Sequence, residues 1–331
     1  SIGSNGGHGQ TKSIFLRGTE SNHTKVLING VDLNPGTLGV PSIQHISVDM
    51  IQRIEISKGS MSALYGKDTI GGVINIITKK NIGNKISIST GTHNTKNIVY
   101  SGGLNYMNHK FSTNINRLES DSFKAKVTST EKHAYDTTNL DFNYVINIGQ
   151  NEVSANYYKS TGNTEYDSFG SNLNQNHRDN HFKFNVNYMF ADSYLDLFYV
   201  KKTNEINQAA LSATDYTHTK INSFGFEYTI VGNESNHTLI GMDYNDEAMY
   251  ELSYGTSFKH TNKIKQAYIS STHKISEKLQ TNFGIRSQNH TTYDNFISGN
   301  VGINYYLNQS FVISSSLAKS FRAPDATDLF G

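Results

Sequence analysis

Two patterns of hydrophobic and polar residues divide the chain near residue 80. Before that point, short apolar runs rich in β-branched residues are bounded by glycine and asparagine. Such runs are typical of short buried strands. They occupy residues 13–16, 25–28, 53–56 and 72–77. We therefore predict a small mixed α/β domain over residues 1–82.

Three turn signals lie inside this domain. Asn29-Gly30, between two apolar segments, predicts a two-residue hairpin. Residues 47–51 can form one helical turn, since serine and aspartate are suitable N-caps. Residues 60–65 predict another helical turn, which Gly66 ends.

From residue 83 onward, apolar and polar residues alternate, which is the pattern of half-buried strands. The alternation is clearest in residues 140–148, 182–190, 224–230, 279–285 and 311–317. We predict roughly ten such strands over residues 83–331. Short connectors around positions 150, 191 and 308 alternate with long polar segments, which we interpret as loops at 118–138, 160–179 and 201–219.

Short turns at one end and long loops at the other are typical of an antiparallel transmembrane β-barrel. One face of each strand would meet lipid, and the polar face would line a lumen. A soluble β-sandwich or propeller shows the same alternation, but the long strands and the polar inner face favour the barrel. A wide barrel needs its lumen closed, so the N-terminal domain is interpreted as a plug. The predicted fold is an all-β membrane protein, an incomplete barrel with a small mixed α/β plug domain.

Composition excludes several functions. The chain of 331 residues has a net charge of +1, which argues against a nucleic-acid partner. It has no cysteine, which excludes disulfides, zinc–thiolate sites and thiol nucleophiles. Its 20 Tyr and 17 Phe argue against disorder. No catalytic constellation is evident, so we expect neither an enzyme nor a catalytic cofactor.

Several motifs resemble one family. Segments 5–34, 51–59, 62–66 and 70–78, the last reading IGGVINIIT, are similar to the plug of TonB-dependent outer-membrane receptors. Segments 320–324 (SFRAP) and 328–331 (DLFG) resemble a mid-barrel signature of the same family. Within the family, the segments match its cobalamin-transporting members.

The resemblance implies a protein of the Gram-negative outer membrane that takes up cobalamin. It implies three partners: TonB with its inner-membrane energising complex, the ligand, and outer-membrane lipid. Because the chain starts at Ser1 and stops at Gly331, we expect a fragment of a barrel of about 22 strands. The remaining parts would supply the TonB-contact box and the last strands. Arg53 and Glu55 are expected in a buried charge network facing the barrel wall.

The resemblance also implies where ligand binds. Contacts in the family come from two plug apices and from barrel loops. The positions matched here are Asn5, Gln10, Thr11, Lys12, Thr37, Leu38 and Tyr166. Amide, hydroxyl and backbone groups suit cobalamin, which is large, neutral overall and rich in amides. Ordinary turn chemistry also accounts for Asn5 and Gln10.

Calcium is the cofactor that the resemblance implies, bound through aspartates of the early barrel loops. Ca²⁺ takes six to eight oxygen ligands, so clustered carboxylates are required. The matching positions are Asp121, Asp136, Asp167 and Asp179. One further family aspartate is replaced by Ala134, and polar loops contain aspartates for other reasons.

Other interpretations stay open. The ligand could instead be a ferric siderophore or haem. A plain porin or surface adhesin is an alternative from another class, and a soluble β-rich binding protein is a third. His177 and His181 could share a strand face as metal ligands, although scattered loop histidines are the simpler explanation.

Overall fold

The architecture was obtained as a computed structural model. It describes residues 1–59, 61–80, 83–124, 127, 131–168, 170–209, 214–233, 236–253, 255–292, 295–308, 310–325 and 328–329.

The N-terminal domain contains six strands and one short helix within these ranges. They are β1 (Ile2–Ser4), β2 (Lys12–Ile14), β3 (Thr24–Ile28), β4 (Val31–Asp32), β5 (Ile51–Lys58), α1 (Ser62–Tyr65) and β6 (Gly72–Thr78). Strands β1 and β2 form a hairpin, and the others form a sheet in the order β4-β3-β6-β5. Only the β3–β6 pair is parallel. The predicted mixed domain is confirmed.

The core of this domain consists of the apolar runs identified in the sequence. Val26 and Ile28 of β3 are fully buried and pack with Ile74 and Ile76 of β6. Asn29 and Gly30 have φ of 50° and 78°, as a two-residue hairpin of mirror-image type requires. The predicted helical turns are confirmed: a 3₁₀ turn covers Val48–Met50, and α1 ends at Gly66, where φ is 76°. A further 3₁₀ turn, Ile43–His45, was not predicted.

Strands β7 to β19 form one antiparallel sheet of 13 strands. They are β7 (Gly83–Gly91), β8 (Thr95–Tyr106), β9 (His109–Ser120), β10 (Tyr135–Ile148), β11 (Asn151–Ser168), β12 (Ser171–Phe190), β13 (Ser193–Ala209), β14 (Thr214–Asn233), β15 (Asn236–Ser253), β16 (Thr256–Ser276), β17 (Leu279–His290), β18 (Phe296–Tyr306) and β19 (Val312–Lys319). Each strand pairs with its sequence neighbour. In the described part of the chain, β7 and β19 are unpaired edges and the sheet is not closed.

The estimate of ten strands and two of the predicted long loops were wrong. Residues 160–179 and 201–219 belong mostly to β11, β12, β13 and β14, whose register runs without interruption. Polar residues continue these strands because both faces of a strand that extends past an apolar belt can be polar. Of the three segments, 118–138 separates two strands most widely, since β9 ends at Ser120 and β10 begins at Tyr135, and residues 125–126 and 128–130 lie outside the described part of the chain.

The two faces of the sheet differ as the alternation predicted. On β10, Phe142 points outward and is 40% exposed, whereas Asn139 and Asp141 point inward and are 0% exposed. Such an apolar outer face suits lipid, and the polar inner face, hereafter the wall, surrounds the plug. No helix among the described residues is long and apolar enough to cross a membrane.

Hydrogen bonds join the wall to the plug. Asp141 of β10 accepts hydrogen bonds from the side-chain amides of Asn156 at 2.9 Å and Asn114 at 3.1 Å, and from plug Asn29 at 3.3 Å. The expected burial of Arg53 and Glu55 was wrong. They form an ion pair of 2.8 Å on the exposed face of β5, with side chains 57% and 47% exposed.

Candidate functional site

The first plug apex is the turn between β1 and β2. It closes through the amide of Asn5, which donates to the carbonyl of Thr11 at 3.1 Å. Lys12 Nζ donates to Ser4 Oγ at 3.1 Å across the hairpin. Asn5 and Thr11 are exposed, so their polar groups remain accessible. The sequence folds this way because the glycine-rich segment between them permits a tight loop.

This apex lies against the end of β11. Gln10 Nε2 donates to the carbonyl of Glu165 at 2.8 Å, next to Tyr166. The Tyr166 hydroxyl donates to the carbonyl of Ala209 at 2.7 Å, which joins β11 to the end of β13. The structure therefore places the first apex next to the Tyr166 region, and contact of these residues with a ligand stays a prediction.

Gly9 permits this approach. Its φ is +74°, and a β-carbon there would lie 2.2 Å from the ring of Tyr135 on β10. A β-carbon on Gly7 would lie 2.8 Å from side-chain atoms of Ser122 and Phe123. The glycines thus serve close packing against the wall.

The second apex, residues 34–39, is seated on the wall more firmly than the resemblance implied. Thr37 is fully buried, and its hydroxyl lies 3.3 Å from that of Thr219 on β14. Lys202 Nζ donates to the carbonyl of Asn34 at 3.0 Å. Leu38 is 37% exposed, so it is the member of the predicted pair with accessible surface.

The four candidate calcium ligands do not meet. Asp136 pairs with Asn163 across β10 and β11, and Asp179 pairs with Ser160 across β11 and β12. Positions 160 and 163 have opposite parity on one strand, so these two carboxylates point to opposite faces of the sheet. Asp167 has the parity of Asn163 and shares the outward face with Asp136.

The contacts of these carboxylates also indicate that the four aspartates do not form one site. Asp136 forms an ion pair of 2.8 Å with Arg117, and Asp179 accepts a hydrogen bond from Asn204. Asp121 lies just past β9, where its amide donates to the carbonyl of His93 at 2.9 Å. Within the described ranges, no group of three or more His, Asp or Glu side chains could hold a metal ion. As placed, the four aspartates do not fit one calcium ion, and calcium binding stays a prediction.

The histidine pair singled out in the sequence serves packing. His177 stacks on plug His45, with ring centroids 3.5 Å apart. His181 stacks on Tyr158 at 5.3 Å and bonds to the Asn156 side-chain oxygen at 3.1 Å. Burial lowers the pKa of His45 well below its usual value, and the nearby His177 lowers it further, so His45 stays neutral at pH 7. His177 and His181 share the inward face of β12, and both rings are engaged in stacking.

A cavity of about 550 Å³ lies between plug and wall. Charged side chains of both signs line it. They include Lys25 and Asp32 from the plug, and Lys202, Glu247 and Arg286 from the wall. Charge–charge attraction to Lys25 and Lys202, with the hydrogen bond from the Asn34 amide, outweighs burial and lowers the pKa of Asp32.

Sequence reasoning missed the charged wall residues of this cavity. Lys202 lay in a segment interpreted as a loop, and Arg286 follows the last residue of the segment 279–285. The alternation of the strands could have identified them. A charged residue at a position whose side chain points into the barrel needs a partner in the lumen.

Comparison with known proteins follows the same division of the chain. Residues 1–73 match the family model of the TonB-dependent receptor plug domain, and residues 88–331 match that of the TonB-dependent receptor-like β-barrel. Two similar relatives are vitamin B12 transporters BtuB of Vibrio vulnificus. The protein of strain CMCP6 is 27% identical over 99% of this chain, and that of strain YJ016 is 26% identical over 99%. The chain spans 56% of the length of each relative.

Solved structures share the fold at lower identity. The siderophore receptor PirA from Acinetobacter baumannii has a TM-score of 0.79 and 16% identity, over 98% of this chain and 57% of that one. A variant of the ferric enterobactin receptor PfeA from Pseudomonas aeruginosa has a TM-score of 0.78 and 12% identity, over 97% and 57%.

Proposed function

Because this chain belongs to the TonB-dependent receptors, barrel proteins of the Gram-negative outer membrane, we propose that it acts in the active uptake of cobalamin across that membrane. The family consists of receptors and transporters. A plain porin or adhesin would not contain the plug that both the family model and the fold display.

One observation carries the proposal. An amide- and hydroxyl-bearing apex, with Asn5 and Thr11 exposed, lies beside the Tyr166 region at one end of the wall. Neutral hydrogen-bonding groups of this kind match a large neutral ligand rich in amides. The relatives that match 99% of the chain are vitamin B12 transporters, which supports the same ligand.

The proposed mechanism separates capture of the ligand from retention of the plug. The first apex and Leu38 capture the ligand, while the wall holds the plug through hydrogen bonds such as Lys202 to the carbonyl of Asn34. TonB, energised by its inner-membrane complex, then pulls on the plug. In this step the chain itself maintains those hydrogen bonds until the pulling force breaks them. Outer-membrane lipid contacts the outward aromatic face around Phe142 and Phe184.

A ferric siderophore is the second candidate. Five cations line the cavity, and cations recognise anionic chelates; they are Lys25, Lys67, Lys183, Lys202 and Arg286. They are balanced by Asp32, Glu247 and other acids of the same cavity, which favours a neutral cargo.

Ligand titration distinguishes these candidates. Outer membranes that carry the protein are titrated with cobalamin, with and without calcium, and with ferric siderophores or haem as competitors. We expect saturable cobalamin binding that siderophores and haem do not displace. Absence of cobalamin binding in both conditions contradicts the proposal, and saturable siderophore binding in its place supports the second candidate. Loss of cobalamin binding on chelation would support the calcium prediction.

A further inference from the structure

The plug helix α1 packs against a site on the wall, hereafter the seat, that Gly284, Arg286 and Ser298 form. Ala63 is 2% exposed and lies directly over Gly284 of β17. A β-carbon built on Gly284 would lie only 2.8 Å from the β-carbon of Ala63. The backbone of the wall therefore comes closer to the helix than a side chain at position 284 would allow.

Arg286 holds the carboxyl-terminal end of this helix. Its Nε donates to the carbonyl of Ala63 at 3.2 Å, and Nη2 donates to the carbonyl of Leu64. Ser298 of β18 donates to the carbonyl of Ser62 at 3.2 Å. The carbonyls of Ala63 and Leu64 are ones that a helix end leaves without intrahelical partners, and a cation is favourable there, whereas the Ser62 carbonyl also accepts the Gly66 amide at 3.1 Å. The seat thus recognises the backbone of α1.

Contacts within the wall hold the guanidinium of Arg286 in the position where it binds the helix. Arg286 Nη1 lies 3.0 Å from the Gln266 side-chain oxygen and 3.4 Å from an Asp243 carboxylate oxygen. Its carbon lies 3.7 Å from the ring centroid of Tyr268, a cation–π contact. The Tyr268 hydroxyl in turn donates to Glu227 at 2.5 Å. Arg286 is 3% exposed, so these contacts are made away from bulk water.

The seat forms one side of the plug–wall cavity. Leu64, Tyr65 and Lys67 line that cavity from the plug, and Arg286 and Gln288 line it from the wall. Displacement of α1 from β17 would therefore widen a space that is already polar and reaches from Lys25 to Arg286. The hydrogen bonds that oppose this displacement are those of Arg286 and Ser298.

We propose that α1 is the gate of this cavity, that Gly284, Arg286 and Ser298 form the seat that keeps it shut, and that α1 leaves this seat when cargo passes. Arg286 is a positioning residue, since it acts on the plug backbone and not on the cargo. The proposal rests on the proposed transport function, but the leak assay below needs no cargo.

A cross-link tests the gate directly. The chain has no cysteine, so Ala63→Cys with Gly284→Cys introduces the only pair. Disulfides need β-carbons about 3.8 Å apart, so a shift of about 1 Å accommodates the bond. We expect the oxidised double variant to bind cobalamin as the parent does, to lose uptake, and to regain it with reductant. Each single variant, oxidised in the same way, is the control. Normal uptake by the cross-linked protein overturns the proposal.

Substitution of Arg286 gives an independent test. For Arg286→Gln we expect passage of small hydrophilic solutes without TonB, and for Arg286→Lys an intermediate leak, because lysine keeps the charge and loses the planar fork. Lys274→Gln, which removes a cation from the exposed end of β16, should not leak. Heat-modifiable migration checks that each barrel is folded. A sealed Arg286→Gln protein contradicts the proposal, whether or not cobalamin is the cargo.

Discussion

Gln10 of the plug and Glu165 of the wall are joined by a hydrogen bond of 2.8 Å from the Gln10 side-chain amide to the Glu165 carbonyl. It connects residues 155 positions apart and fixes the first apex beside Tyr166. Because the acceptor is a backbone carbonyl, the donor at position 10 alone decides whether the contact exists.

Gln10→Ala should therefore weaken cobalamin binding. Loss of one neutral hydrogen bond costs about 1 kcal/mol, or roughly a fivefold rise in Kd. Equilibrium titration of the variant in outer membranes measures it. Glu20→Gln, an exposed plug position outside the apex, is the control and should bind normally. An unchanged Kd for Gln10→Ala would exclude the first apex from the site.

Gly9→Ala should be more damaging, and Gly18 provides a matched control. Both glycines have positive φ, 74° and 76°, so alanine adds similar backbone strain of about 1 kcal/mol at each. Only at Gly9 does the new methyl group meet a ring, that of Tyr135, whereas nothing lies within 4 Å at Gly18. We expect the Kd for cobalamin to rise by about tenfold more in Gly9→Ala than in Gly18→Ala. Equal effects would show that the apex is not packed against β10.

Arg117 should compete with calcium for Asp136. The two side chains form an ion pair of 2.8 Å and are about a third exposed or more, so the pair contributes at most about 1 kcal/mol. If Asp136 is a calcium ligand, Arg117→Gln should raise calcium affinity by up to about fivefold, and Asp136→Asn should lower it. Isothermal titration measures both. Identical calcium isotherms for the two variants and the parent would remove Asp136 from the predicted site.

Asp68 should make the plug more stable in mild acid. Burial raises the pKa of this plug carboxyl from 3.8 to about 6, against an opposing effect of Lys67. A raised folded-state pKa means that the stabilisation is fully present below about pH 4 and is lost as the pH rises through 6. The change from 3.8 to about 6 corresponds to roughly 3 kcal/mol.

Calorimetric unfolding at pH 5 and pH 7 tests this expectation. Relative to the parent, Asp68→Asn should raise the unfolding temperature more at pH 7 than at pH 5, because only the ionised carboxylate of the parent carries the cost of burial. Asparagine tolerates the φ of 65° at this position, so the variant adds little backbone strain. An equal change in unfolding temperature at the two pH values would show that Asp68 does not titrate with a raised pKa.

Local sequence patterns were sufficient to predict the turns of the plug and the inward and outward faces of the barrel strands. Asn29-Gly30 specified its hairpin and Gly66 ended α1, because both depend on positive φ alone. The lengths of β11 to β14 were not predictable from hydrophobicity, since their polar ends carry no alternation. What determines those ends is pairing with a neighbouring strand, which is a property of the whole sheet.

The candidate site was predicted only where sequence neighbours decide it. Asn5, Gln10 and Thr11 belong to one turn, so their proximity follows from the hairpin. The burial of Thr37 against Thr219 and the contact of Arg286 with α1 join residues far apart in the chain. Such contacts depend on how the plug sits in the wall, and no local pattern encodes that placement.

The amides that line the wall around Asp141 determine how the interface responds to temperature. Asp141 accepts a hydrogen bond from plug Asn29, and Asn114 donates one to the carbonyl of Lys79, so both wall residues can exchange a partner on the plug side for water when the plug moves. Separation of such surfaces uncovers mostly polar area, and polar exposure lowers the heat capacity where apolar exposure raises it. The force needed to withdraw the plug should therefore vary little between a cold and a warm environment, unlike that of an interface held by apolar contact.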